Sequence, residues 1–257
     1  MRLFDIHCLQ MSTTNNLLII VATYNELNNL PSLVAKLFEL LPAVSIVVVD
    51  DNSPDGTGLW CAEEAEKRDN LYLISRSGKL GLGSATIAGF EFGLENNFRF
   101  IATMDADWSH NPTSMAEMWE LVQRLDGAGR IDNFGAVIGS RYVDGGKIEG
   151  WPRIRLASSK FVNWFTRLLL RVPTRDNTGA FRIYSAEALG VVGVGNIACQ
   201  GYGYLEELVY LLHRNDFKLH EHPITFTDRE QGQSKASVLE GVKVLASIVR
   251  LALRVGK

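Results

Sequence analysis

The feature that most limits the fold is the alternation of short apolar runs with helical patterns along the first 140 residues. Residues 17–22 form an unbroken apolar run, and 45–49 form a second that is rich in β-branched side chains. Strands buried on both faces have this composition. Between the two, Leu30, Leu33, Val34, Leu37 and Leu41 recur at helical spacing. The unit is β-α-β, and its crossover makes the two strands parallel. The pattern repeats, with helices expected over 57–67, 84–94 and 112–125 and strands over 71–74, 98–104 and 136–138. After residue 140 the alternation breaks. A basic amphipathic helix is expected over 155–170, a turn around 176–179, a helix over 204–213, a strand over 222–226 and a terminal helix from 237. The chain reads as α/β with a mostly parallel, Rossmann-like sheet to which a basic helical region is appended.

With 257 residues, 46% of them apolar, the chain can bury one large core. No repeat or linker marks a second domain, so 17–257 reads as a single domain and 1–16 as a flexible tail. The net charge of −3 argues against general nucleic-acid binding, although nine basic residues face three acidic ones between Arg141 and Arg182. Three scattered cysteines (Cys8, Cys61 and Cys199) lack disulfide or metal spacing, which fits a reducing cytoplasm. The first sixteen residues lack the apolar core and cleavage site of a secretory signal. The nearest approach to a membrane span, 238–255, is interrupted by Glu240, Lys243, Arg250 and Arg254. Membrane contact is therefore expected to be peripheral, on the cytoplasmic face, or made through a membrane subunit.

Three acidic clusters follow expected strands. Asp105-Ala106-Asp107 places two carboxylates where parallel sheets bind their ligands, and paired oxygen donors suit Mg²⁺ or Mn²⁺ completed by water and phosphate. Thr23-Tyr24-Asn25-Glu26 and the segment Asp50 to Thr57 occupy equivalent positions. Each also has an ordinary reading: Asn25 as a helix cap, an Asp/Pro/Gly turn feeding a helix capped around Asp55 or Thr57, and Pro112 opening another helix. Together they crowd like charges on one edge, which favours a bound cation or a donor-rich ligand. There is no dinucleotide fingerprint and no Walker loop; Gly81, Gly83 and Gly89 read as a helix start and a packing contact. A nucleotide diphosphate held through a cation fits better than a dinucleotide.

The motifs VATYNE, VVVDDNSPDGT, MDADWSHNP, GSRY, DNTGAFR and FTDREQGQSK, in this order, resemble the polyprenol (dolichol) phosphate mannosyltransferases of glycosyltransferase family 2 over about residues 17–250. The resemblance implies a GT-A fold, an inverting transfer of mannose from GDP-mannose, and a polyprenyl or dolichyl monophosphate acceptor. It places Ala22, Tyr24, Glu26, Val49 and Asp51 on the donor nucleotide. Asp105, Ala106 and Asp107 would meet the diphosphate and the metal, with Asp105 and Asp107 as the metal ligands. Arg229 and Lys235 would close over the donor diphosphate and share catalysis with the two aspartates. Arg141 would touch donor and acceptor, holding the acceptor phosphate together with Arg155 and Ser159. The chain departs from the pattern at Ala22, where proline is usual, and at Ser109, where some members carry a metal-binding glutamine. Alternatives are the same fold with UDP-glucose or another acceptor, and a non-catalytic nucleotide-sugar-binding subunit.

Overall fold

The computed structural model describes residues 16–129, 131–197, 201–228 and 238–254. In chain order its elements are β1 (Leu17–Thr23), α1 (Leu30–Leu40), β2 (Ser45–Asp50), α2 (Thr57–Ala65), β3 (Leu71–Ser75), α3 (Leu82–Glu95), β4 (Phe100–Asp105), α4 (Pro112–Gly127), β5 (Phe134–Ser140), β6 (Lys147–Glu149), α5 (Arg153–Leu170), β7 (Arg182–Ser185), α6 (Ala186–Val192), α7 (Tyr204–Arg214), β8 (Lys218–Pro223), β9 (Thr225–Thr227) and α8 (Val238–Arg254). Seven strands form one sheet in the order β3-β2-β1-β4-β7-β5-β8, while β6 and β9 make a small parallel pair. β7 runs antiparallel to both its neighbours, and the other adjacent pairs are parallel.

The apolar runs explain the layers. Along β1, Leu17, Ile19 and Val21 pack under α1 and α4 with Leu33, Leu37, Met115 and Met118, while Leu18 and Ile20 pack under α3 with Phe90. Alternation across the strand sends successive side chains to opposite faces, so a strand covered on both sides must be apolar throughout. α3 approaches closely because Gly89 leaves room for Ile20; a Cβ at 89 would lie 2.6 Å from Ile20 Cγ2. A third cluster joins α5, α7 and α8 around Leu170, Val209, Ile248 and Leu251 at the far edge.

The second half departs from the sequence pattern in several places. The strand expected over 222–226 is two strands, β8 and β9, and β6, β7 and α6 carry no readable signal. β7 escapes because a fully buried arginine opens it: Arg182 donates to the carbonyls of Leu205 (3.0 Å) and Asn177 (2.7 Å), which lets a charged residue replace an apolar one. Asn16, counted with the tail, is tied in, its carbonyl accepting from Phe100 N–H at 2.8 Å. Residues 1–15 lie outside the described residues.

Candidate active site

The carboxyl ends of β2, β1 and β4 lie side by side. Ala22 pairs with Val49 on one side and Asp105 on the other, and Thr23 pairs with Asp50. The loops beyond them are stitched together by side chains. Asp50 is buried and accepts from the Thr23 hydroxyl (2.9 Å) and from Ser53 N–H (2.9 Å), and the Ser53 hydroxyl accepts from Asn25 N–H (2.9 Å). Thr57 Oγ1 accepts from Glu26 N–H, and Asp55 accepts from Leu27 N–H and Thr57 N–H. Asn25 is therefore not a helix cap: it adopts φ of 61°, and α1 begins five residues later, behind Asn29. Asp55 does support the start of α2, with Gly56 at the cap position.

Asp51 already has partners. Its Oδ2 accepts from Leu80 and Gly81 N–H (3.0 Å each), and Arg76 sits 2.9 Å from Oδ1. Val49 and Ala106 are buried in the two core clusters, so their side chains are structural as well as adjacent to the site. Tyr24 and Glu26 are half-buried, and Lys79 Nζ stands 4.1 Å from the Tyr24 ring centre.

At the end of β4, Asp105 and Asp107 are part-exposed, and Asp107 Oδ1 accepts from Ser109 N–H (3.1 Å). Ser109 itself is buried. His110 is buried beneath them, stacked on Phe181 with ring centres 4.6 Å apart. Burial lowers its pKa below the ordinary imidazole value, and Asp105 N–H donates to Nδ1 (3.1 Å), the arrangement of a neutral Nε2–H tautomer. The Nδ1 lone pair is thereby committed.

On the other side of the sheet's midline, at the end of β5, Arg141 is buried and doubly bonded to Asp176: Nε to Oδ2 and Nη2 to Oδ1, both 2.7 Å. Nη2 also reaches Thr178 Oγ1 (2.7 Å). Burial pushes the Asp176 carboxyl up, yet the Arg141 charge and the hydrogen bonds outweigh it and hold the group below the usual carboxylate range. Trp151 carries two cations, Arg155 at 4.0 Å and Arg141 at 5.4 Å from its ring centre. Ser159, one turn along α5 from Arg155, accepts from the Tyr142 hydroxyl at 2.8 Å. The structure thus brings together Arg141, Arg155 and Ser159 through a shared framework of Tyr142, Trp151 and Asp176. Tyr142 and Asp176 stand inside the GSRY and DNTGAFR motifs, but their contacts with Ser159 and Arg141 are set by the fold rather than by the motifs. Arg229 and Lys235 lie outside the described residues.

A model of glycosyl transferase family 2 matches residues 18–193. The chain belongs to this family. Among curated relatives of this glycosyltransferase, a polyprenol monophosphomannose synthase of Mycolicibacterium smegmatis is 40% identical over 225 residues, covering 87% of this chain and 82% of the relative. An undecaprenyl-phosphate mannosyltransferase of Micrococcus luteus is 37% identical over 224 residues, covering 86% and 87%. Solved structures give the GT-A fold. A mannosyltransferase from Pyrobaculum calidifontis in complex with GDP-mannose and Mn²⁺ superposes with a TM-score of 0.59 at 17% identity, covering 94% of this chain and 65% of that one. The glucosyl-3-phosphoglycerate synthase of Mycobacterium tuberculosis, with Mn²⁺, UDP-glucose and phosphoglyceric acid, gives 0.60 at 13% identity, covering 93% and 80%. None of the glycosyltransferase's described helices is long and apolar enough to cross a membrane.

Proposed function

We propose that this glycosyltransferase transfers mannose from GDP-mannose to a polyprenyl monophosphate with inversion, giving polyprenyl phosphate β-mannose and GDP. The observation that carries the reading is the division of one sheet edge between two chemistries. Carboxylates crowd the ends of β1, β2 and β4, while Arg141, Arg155 and Ser159 gather beside the end of β5. The mannosyltransferase relatives support the donor sugar and the acceptor class.

The donor set at the end of β4 fits Mg²⁺ or Mn²⁺. Asp105 and Asp107 are hard oxygen donors, His110 Nδ1 is committed, and the described residues form no cage of three or more acidic, histidine or cysteine groups. Such an ion binds through one or two carboxylates and takes the rest of its shell from phosphate and water. When bound it supplies Lewis-acid stabilisation of the leaving diphosphate. Ala22, Tyr24, Glu26, Val49 and Asp51 surround the nucleotide in this reading, and Arg229 and Lys235 neutralise charge on the departing GDP.

The acceptor needs no strong base. A phosphate monoester is mostly dianionic near neutral pH, its second pKa being about 6. Its oxygen attacks the anomeric carbon as the bond from that carbon to GDP breaks. Arg141, Arg155 and Ser159 orient the phosphate for that attack. The lipid chain has a surface to follow. α5 exposes Ile154, Phe161, Trp164 and Leu168, and α8 exposes Val249 and Leu253, beside exposed Lys160, Arg167 and Arg250. An apolar stripe edged with cations suits the headgroup layer of an anionic bilayer and supports peripheral attachment.

The test is transfer from labelled GDP-mannose to a short polyprenyl phosphate in detergent, with Mn²⁺ or Mg²⁺ and with chelator. A charged mannolipid that forms only with metal is expected. In the same assay Asp107→Ala should lose at least about a hundredfold in kcat/KM; full activity would remove Asp107 from the metal site.

A further inference from the structure

We propose that Asp228 is a placeholder for the acceptor phosphate on Arg155, occupying the guanidinium until a phosphate monoester displaces it. The proposal deepens the acceptor reading above and rests on it.

The small β6–β9 sheet fixes the geometry. Lys147, Ile148 and Glu149 pair with Thr225, Phe226 and Thr227, and Asp228 N–H then donates to the Glu149 carbonyl at 3.0 Å. Asp228 is thereby brought alongside Gly150, whose φ of 83° turns the chain toward Trp151 and the start of α5; a Cβ at 150 would lie 3.0 Å from Asp228 Cβ. Within the first turn of α5, Arg155 Nη1 meets both oxygens of Asp228, at 2.9 and 3.1 Å. The same guanidinium lies 4.0 Å from the Trp151 ring centre. One face of Arg155 is thus held by an aromatic plane while its edge is held by an anion.

Three observations mark the anion as exchangeable. The pair is part-exposed, with 28% of the Arg155 side chain and 27% of Asp228 accessible, so breaking it leaves neither charge stranded in a dry interior. The first turn of α5 has no acidic residue and no side-chain cap, so its main-chain N–H groups favour additional negative charge. The incoming group is also the stronger ligand: a phosphate monoester brings close to two charges and three acceptor oxygens where Asp228 brings one charge and two. Trp151 keeps the guanidinium plane in place while its edge changes partner.

The experiment measures binding of decyl phosphate by calorimetry, and acceptor KM in the transfer assay, for the wild-type chain, Asp228→Asn, Asp228→Glu, Arg155→Ala and the double variant. Removing the competing charge in Asp228→Asn should tighten decyl phosphate and lower acceptor KM by about threefold, with a smaller change in donor KM. Asp228→Glu should restore the wild-type values. In the Arg155→Ala background, Asp228→Asn should produce no further tightening. Weaker or unchanged binding in Asp228→Asn overturns the placeholder, since Asp228 would then position Arg155 or do nothing to it. If the wild-type chain and Asp228→Asn both fail to bind decyl phosphate, the phosphate-acceptor reading falls and takes the placeholder with it.

Discussion

Arg141 and Arg155 both lie over the Trp151 ring and both pair with an aspartate, but Asp176 is fully buried whereas Asp228 keeps about a quarter of its side chain in solvent. Burial separates their roles. Arg141 spends Nε and Nη2 on Asp176 and Thr178, and Asp176 is fixed in turn by the N–H groups of Arg141 and Gly179. Asp176 N–H donates to Glu221 on β8 at 2.9 Å, which ties the frame to the sheet edge. Among the described residues, Arg155 has the one aspartate and the ring. A charge pair taken wholly out of water becomes part of the framework, and one left at the surface can trade partners.

The largest effect should come from Asp176→Ala, which strands the buried Arg141 guanidinium. A loss of about 3–5 kcal/mol in unfolding free energy is expected, against less than about 1 kcal/mol for Asp228→Ala, read from denaturant midpoints at pH 7. Equal losses would break the distinction between the two pairs. Another buried carboxyl sharpens it. Glu206 lies near Arg182, but its Oε2 has no hydrogen-bond partner among the described residues, and burial raises its pKa to about 7. Because the folded value exceeds the unfolded one, this group's stabilising contribution is complete below the unfolded pKa near 4.5 and is lost as pH rises through about 7. Glu206→Gln should therefore stabilise the chain at pH 8 by about 1–3 kcal/mol and make little difference below pH 4.5, as melting across pH would record. The smallest effect falls on the exposed side. Arg155→Ala should leave the melting temperature within a few degrees of wild type and raise acceptor KM about tenfold, with donor KM nearly unmoved.

The same contrast decides what could be read from the residues alone. β1, β2 and β4 are legible because a strand covered on both faces has to be continuously apolar, and the acidic clusters stand out where those runs stop. The acceptor side is built from elements without such a signature. β6 is three residues long with its ends exposed, and β7 begins with a charged residue whose buried guanidinium donates to main-chain carbonyls supplied by the tertiary fold. Arg141, Arg155 and Ser159 could be picked out by resemblance, but the aspartates that pair with the two arginines lie 35 and 73 residues away in the chain. Ion pairing over that separation leaves no period to detect. Asn25 shows the reverse error: a good capping residue in the right place is recruited to a left-handed turn because Ser53 and Asp50 hold the loop.

The antiparallel strand β7 also bears on how the chain assembles. Thr103 of β4 pairs with Arg182, and Ile138 of β5 pairs with the same residue, so a single late segment supplies the missing neighbour for both strands. Until residues 182–185 arrive, β4 and β5 each present an open edge, and closing the intervening loop costs entropy before any of those contacts repay it. High contact order of this kind slows folding. Synthesis of the polypeptide must therefore pass well beyond Asp107 before the carboxylates at the end of β4 and the arginine at the end of β5 can share one surface, and nascent chains that stop short of β7 leave β4 with one open edge and β5 with two.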